Sequence, residues 1–331
     1  MIKFNEESKI ACVRGALALR KDIEHIVDSY SKDGIRNLCF LGIGGTWASC
    51  LQVLCHMKER SAQEIMAVNA AEYIATGDRR IGAGTVVVIS SVTGTTSEIV
   101  DAVAKAKSDG AKVIGFIDRA DCELARSVDN CVTYPSNEQL KFFMTADRFM
   151  KNWGEFEEYD ELYAQLDKYL PEGLAAVEKT ANAFALEFAK AHYEDDLHYF
   201  IGGGCNYGST YSYAMCYWEE QHWIRTKSIH SAEFFHGTLE IVDSDTAITL
   251  FVGEDSQRGI GLRVKNFLPK VCKNYTVIDS ADYPIEGIDE RFRGHISHLI
   301  LRAVANRIDV HIEALSGHDM SIRRYYRKFD Y

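Results

Sequence analysis

Three times in this chain a short, uninterrupted apolar run breaks into glycines or hydroxyls and then into a helix. Leu38-Cys39-Phe40-Leu41 leads into Gly42-Ile43-Gly44-Gly45-Thr46 and a helical stretch to about Lys58. Thr85-Val86-Val87-Val88-Ile89 leads into Ser90-Ser91-Val92-Thr93-Gly94-Thr95-Thr96 and a helix over 97–108. Leu197-His198-Tyr199-Phe200-Ile201 leads into Gly202-Gly203-Gly204 and a helix reaching about Ile224. Strands that are apolar throughout are buried on both faces, and their alternation with helices signals a parallel sheet covered on both sides. Further strands are predicted over 113–117, 247–252 and 275–278, and helices over 8–31, 155–168, 174–192 and 296–315. The pattern predicts an α/β fold of two doubly wound parallel-sheet domains related by internal duplication. A length of 331 residues suits two domains. Pro171-Glu172-Gly173 marks the boundary, giving a first domain over 1–168 and a second over 172–331, each opening with a long helix.

Charge and composition narrow the partners. With 37 Lys+Arg against 48 Asp+Glu the formal charge is −11, which argues against a nucleic-acid surface, since phosphate neutralisation needs a basic patch. A small phosphorylated ligand is still compatible, because backbone N–H groups can bind phosphate inside an acidic protein. No apolar run approaches the ~18 residues that cross a bilayer, and Met1-Ile2-Lys3-Phe4-Asn5 opens no signal-peptide core. Nine scattered cysteines, mostly within apolar strings, are expected to be reduced thiols. No metal-ligand spacing is present, and the expected compartment is the cytoplasm.

The loop over 90–97 is the first functional candidate. Short hydroxyls at the carboxyl end of a strand, where a helix N-terminus offers free N–H groups, suit a phosphate. Ser91, Thr93 and Thr96 are its expected contacts. Gly44 and Gly45 would let backbone approach a sugar or phosphate closely, with Thr46 as a further donor. The glycine loop is not a dinucleotide fingerprint, since Trp47 stands where the third glycine would. No P-loop motif occurs, and no organic cofactor is expected.

Acid–base chemistry concentrates between Tyr217 and Glu240. Glu220 ends an otherwise aromatic helix, and a carboxylate held against aromatic surface would have its pKa raised towards that of a general base. Glu233, His236 and Glu240 follow around Phe234-Phe235-His236-Gly237. The spacings of His222, His230 and His236 do not suit metal ligation from one helix face.

The Ser-rich loop together with Glu220-Gln221-His222-Trp223…Ile229…Glu233-Phe234-Phe235-His236-Gly237 and the tail Arg323-Arg324-Tyr325…Tyr331 resembles the sugar isomerase (SIS) domain family, and within it the fructosamine-6-phosphate deglycases. The resemblance runs nearly the length of the chain. Its most specific element is the 16-residue step from Glu220 to His236, shared with the isomerase half of glucosamine-6-phosphate synthase. Thr238 replaces the usual proline after His-Gly, and Tyr217 stands where the synthase has lysine. The resemblance implies tandem flavodoxin-like SIS domains, no cofactor, and a homodimer with shared sites. It implies Glu220 as the residue moving the C1/C2 proton, His236 as its acid–base partner, and a phosphorylated sugar-amine as substrate. Glu233 and Arg324 are candidate further contacts. The same machinery would serve an aldose–ketose isomerase, and the same fold a sugar-phosphate-binding regulator.

Overall fold

The computed structural model of the chain describes residues 1–329. The chain divides into two compact units, residues 7–171 and residues 172–331 together with Met1–Glu6.

The first unit contains helices α1 (Glu6–Ala18) and α2 (Arg20–Asp33), so the single helix expected over 8–31 is two, separated at Leu19. Strand β1 (Asn37–Gly42), α3 (Gly45–Lys58), β2 (Ile65–Asn69), α4 (Ala70–Thr76), β3 (Thr85–Ser91), α5 (Ser97–Ser108), β4 (Lys112–Ile117), α6 (Glu123–Ser127), β5 (Asn130–Val132) and α7 (Glu138–Asn152) follow. The sheet order is β2-β1-β3-β4-β5, and every pairing is parallel. Alternate side chains of each strand enter different layers. Cys39, Leu41, Val87, Ile89 and Val113 join one core with Tyr73, Ile99, Val103 and Leu124 from α4, α5 and α6. On the other face Phe40 and Phe116 meet Phe142 of α7, at 5.4 and 6.1 Å between ring centres. Both faces are therefore covered, as an apolar parallel sheet requires.

Helix α8 (Tyr159–His192) is unbroken over 34 residues and carries Pro171 in its interior. The expected break at Pro171-Glu172-Gly173 is thus not a loop, although the division between units falls there. The second unit continues with β6 (Leu197–Gly202), α9 (Asn206–Ser212), a π-helical segment over Tyr213–His222, β7 (Arg225–His230), β8 (Ile248–Val252), α10 (Arg258–Phe267), β9 (Tyr275–Asp279) and α11 (Glu290–Ser316). Its sheet order is β7-β6-β8-β9, again all parallel. One face packs Ile201, Ile229, Leu250 and Val252 against Val264 and Leu268. The other is aromatic: Phe200 lies 4.8 Å from Trp218, 5.3 Å from Tyr213 and 6.0 Å from Phe251. Strand β7 went unrecognised in the sequence because Arg225-Thr226-Lys227-Ser228 gives no apolar run, as befits an edge strand open to solvent.

Candidate active site

In a doubly wound sheet the loops flanking the switch point in strand order converge beyond the strand ends. In the first unit those loops follow β1 and β3, the neighbours from which the chain proceeds in opposite directions. They are the Gly42–Thr46 loop and the 90–97 loop. Ser91, at the end of β3, is buried, and its Oγ accepts the N–H of Gly94 at 3.0 Å. Gly94 takes φ 65°, and a Cβ there would lie 2.3 Å from the Cys122 sulphur, so only glycine closes this turn. Thr93 accepts the Thr95 hydroxyl at 3.0 Å. Thr96 caps α5 by position, yet its side chain makes no bond to the helix. The Ile99 and Val100 N–H groups bond the Thr96 carbonyl, which leaves those of Ser97 and Glu98 at the start of α5 as the donors an anion would meet.

The glycine loop behaves differently from expectation at one residue. Gly44, at φ 58°, is open to solvent space, with nothing within 4 Å of where its Cβ would be, and Gly45 begins α3. Thr46, however, donates its hydroxyl to Glu138 at 2.8 Å, so that proton is engaged rather than offered to a ligand. The partner lies 92 residues along the chain, beyond any local pattern.

The duplicated second sheet has the same two loops, after β6 and β8, but not the same chemistry. Asp255 occupies the place of the hydroxyl loop. Its carboxylate accepts the N–H groups of Cys205 at 2.8 Å and Gln257 at 2.9 Å, the positions just ahead of α9 and α10. A Cβ at Gly204, φ 60°, would meet that carboxylate at 2.3 Å. A fixed carboxylate on those donors repels a second anion at this place in the second sheet.

Glu220 lies near the end of the π-helical segment, a widened helix of ten residues. Such segments recur at functional sites because they re-aim side chains. The widening seats Trp218 in the aromatic core, fully buried, and turns Glu219 and Glu220 outward. Glu219 accepts the hydroxyl of Thr226, the second residue of β7, at 2.7 Å. Glu220 accepts Nε of Arg323 at 2.6 Å and keeps 41% of its side-chain surface exposed. The expected packing of Glu220 against aromatic rings is therefore not what one chain provides: Trp218 took the buried side of the segment, and Glu220 meets a guanidinium and solvent.

His236 ends a short 3-10 turn, Phe234–His236, and is exposed, as is Glu233 just before it. Gly237 follows at φ 148°. The other two histidines of the stretch are structural. His222 is buried with Nε2 3.4 Å from Asp309, and His230 accepts the Ala232 N–H at 3.1 Å. Strand β7 lies between Glu220 and His236 in the chain. The helix through Glu220 ends at the start of β7, and His236 follows its end. Six strand residues at ~3.3 Å each make β7 roughly 20 Å long, with the Glu220 segment before one end of this edge strand and His236 after the other.

One further polar cluster lies at the start of β6. Asp195 accepts Nδ1 of His192 at 2.8 Å and Nδ1 of His198 at 2.7 Å, while Nε2 of His198 lies 2.8 Å from the Thr249 hydroxyl. Burial lowers the His198 pKa to about 4 against the opposing pull of Asp195. The Asp195 carboxyl is itself held low: its two imidazole hydrogen bonds outweigh burial. These contacts clamp the helix end to the strand and lie at the edge opposite the strand carboxyl ends. Sequence patterns missed this cluster, the π-helical segment and Asp255; only the Glu254-Asp255 pair ahead of a helix gave a local signal.

Comparison with known proteins follows this geometry. Residues 34–147 match the SIS domain. Over 326 residues the chain is 26% identical to fructosamine deglycase FrlB of Bacillus subtilis strain 168, covering 95% of this chain and 98% of that one. It is 22% identical over 310 residues to fructoselysine 6-phosphate deglycase of Escherichia coli O157:H7, covering 92% and 89%. A Bacillus subtilis chain solved as a candidate phosphosugar isomerase superposes with a TM-score of 0.86 at 26% identity, over 92% of this chain and 97% of that chain. No helix among the described residues is long and apolar enough to cross a membrane.

Proposed function

This chain is a SIS-domain protein related along nearly its whole length to fructosamine deglycases, and from that premise we propose that it cleaves a 6-phosphorylated Amadori compound to an aldose 6-phosphate and a free amine. The observation that carries the reading is the 90–97 loop, an uncapped helix N-terminus lined by hydroxyls, in a chain that also holds an outward-facing Glu220 and His236. Ser91, Thr93 and Thr96 hold the phosphate dianion, helped by the N–H groups of α5. His236 moves the ring proton that opens the sugar. Glu220 removes a proton from C1 to give an enaminol and returns it at C2. The product is a C1 imine, which water hydrolyses to the aldose and amine. No step calls for a metal or organic cofactor, and the reading places the enzyme in the cytoplasm.

The separation of Glu220 from His236 along β7 supports a site built by two copies, with Glu220 from one and His236 from the other. The proposed assembly is a homodimer in which each site draws on both subunits.

The test is a coupled assay for glucose 6-phosphate and amine release from a panel of phosphorylated Amadori compounds, with fructose 6-phosphate as a control. Release of both products in equal amounts is expected. Interconversion of hexose phosphates without liberated amine would establish the isomerase instead.

A further inference from the structure

On the tail that pairs with Glu220 the structure assembles a second cationic group, next in sequence to Arg323. Trp223, three residues on, closes the π-helical segment in the left-handed conformation, φ 62°, a backbone that non-glycine residues rarely adopt. Its ring is covered by the Arg324 guanidinium at 4.1 Å and the His318 ring at 4.0 Å. Arg324 adjoins Arg323, whose guanidinium is taken up by Glu220 and by the Met320 and Ile322 carbonyls. Arg324 makes no ion pair among the described residues and stays exposed. Stacking on indole fixes the plane of a guanidinium while leaving its N–H fork open, which prepares it for a carboxylate.

We propose that Arg324, stacked on Trp223, binds the α-carboxylate of the amino-acid part of the substrate, and so selects Amadori compounds joined through the α-amine. The inference rests on Glu220 being the group that meets C1. In an α-linked compound the carboxylate carbon is three bonds from C1, about 4 Å, within the span of neighbouring side chains. In an ε-linked lysine it is seven bonds away, about 9 Å, farther than a side chain placed for the α-carboxylate reaches.

The experiment compares fructosylglycine 6-phosphate with its uncharged amide, fructosylglycinamide 6-phosphate. Binding is measured by calorimetry on full-length Glu220→Gln protein, which holds ligand without turnover. Acid over amide preference is expected to be about 10–100-fold, the range for a charge-assisted bond. Adding Arg324→Ala should cut it below about threefold, with Arg324→Lys in between, since lysine keeps the charge without the fork. Equal affinities at the outset, a preference that survives Arg324→Ala, or equal weakening of both ligands and of glucose 6-phosphate would overturn the proposal. Amine release by the unmodified enzyme is scored separately. Its absence with both compounds would sink the deglycase reading, while the binding ratio would still decide the role of Arg324.

Discussion

Glu220 carries the proton transfer in this reading, and its surroundings say how a variant should behave. Glu220→Gln keeps the shape and a hydrogen-bond acceptor for Arg323 but loses the base, so kcat should fall by ~10²–10⁴-fold with little change in KM, as steady-state kinetics would reveal. A variant with kcat within about threefold of the parent would remove Glu220 from the mechanism. Ser91 calls for the opposite signature. Its hydroxyl oxygen holds the Gly94 turn from inside the loop, and the proposed function gives its proton to the phosphate. Ser91→Ala should raise KM for a phosphorylated substrate about 10-fold, at 1.5 kcal/mol or so for a bond to a charged group, and leave kcat nearly intact. The dephosphorylated sugar should not tell the two proteins apart. Ser91 drew notice in the sequence through its run of hydroxyls, and Glu220 and His236 through an acid–base run and the family resemblance. Thr46 misled because hydroxyl type and position suggested a free donor, while its bond to Glu138 depends on packing between segments far apart in sequence.

At the scale of elements, the apolar runs within strands β1, β3, β4, β6 and β8 announced themselves and pointed to parallel, doubly covered sheets. Strand β7 and the π-helical segment did not. An edge strand needs only one apolar face, and a ten-residue π segment has the composition of an α-helix, differing only in how Trp218 is accommodated. The His192–Asp195–His198 clamp was equally hidden, and it makes the second unit acid-sensitive. His198, with no exposed side-chain surface, is neutral in the folded state, with its pKa lowered from 6.5 to about 4. The unfolded chain therefore takes up the proton first, and stability is whole above pH 6.5 and is lost as the pH falls towards 4. The total is about 3 kcal/mol, of which about 2 is gone by pH 5. Asp195, whose carboxyl is held low by the same bonds, adds its own loss further down. Urea midpoints at pH 7 and pH 5 should therefore differ clearly for the natural protein. His198→Gln should be less stable at pH 7 and much flatter between the two. A profile as steep as the parent's would place the acid sensitivity elsewhere.

For the whole molecule, duplication gave two similar sheets that have diverged in chemistry. The first keeps a hydroxyl loop at its switch point, whereas the second fills the equivalent place with Asp255 and carries Glu220 and His236 beyond opposite ends of its edge strand β7. A strand roughly 20 Å long cannot be shortened by a rotamer change, so in the proposed reading a chain acting alone has one member of the acid–base pair at each end of β7. Two copies related by a twofold axis can supply both halves, twice over. That arrangement predicts complementation. Glu220→Gln and His236→Asn proteins, each inactive alone, should regain activity when unfolded together and refolded. Random pairing makes half of the dimers mixed, each with one site having both native groups and one lacking both, so about a quarter of the natural activity should return. Gel filtration of the mixture should show the same dimer as the parent. Were the two groups to act within one chain, no mixed dimer would contain an intact site, and the refolded mixture would stay as inactive as its components.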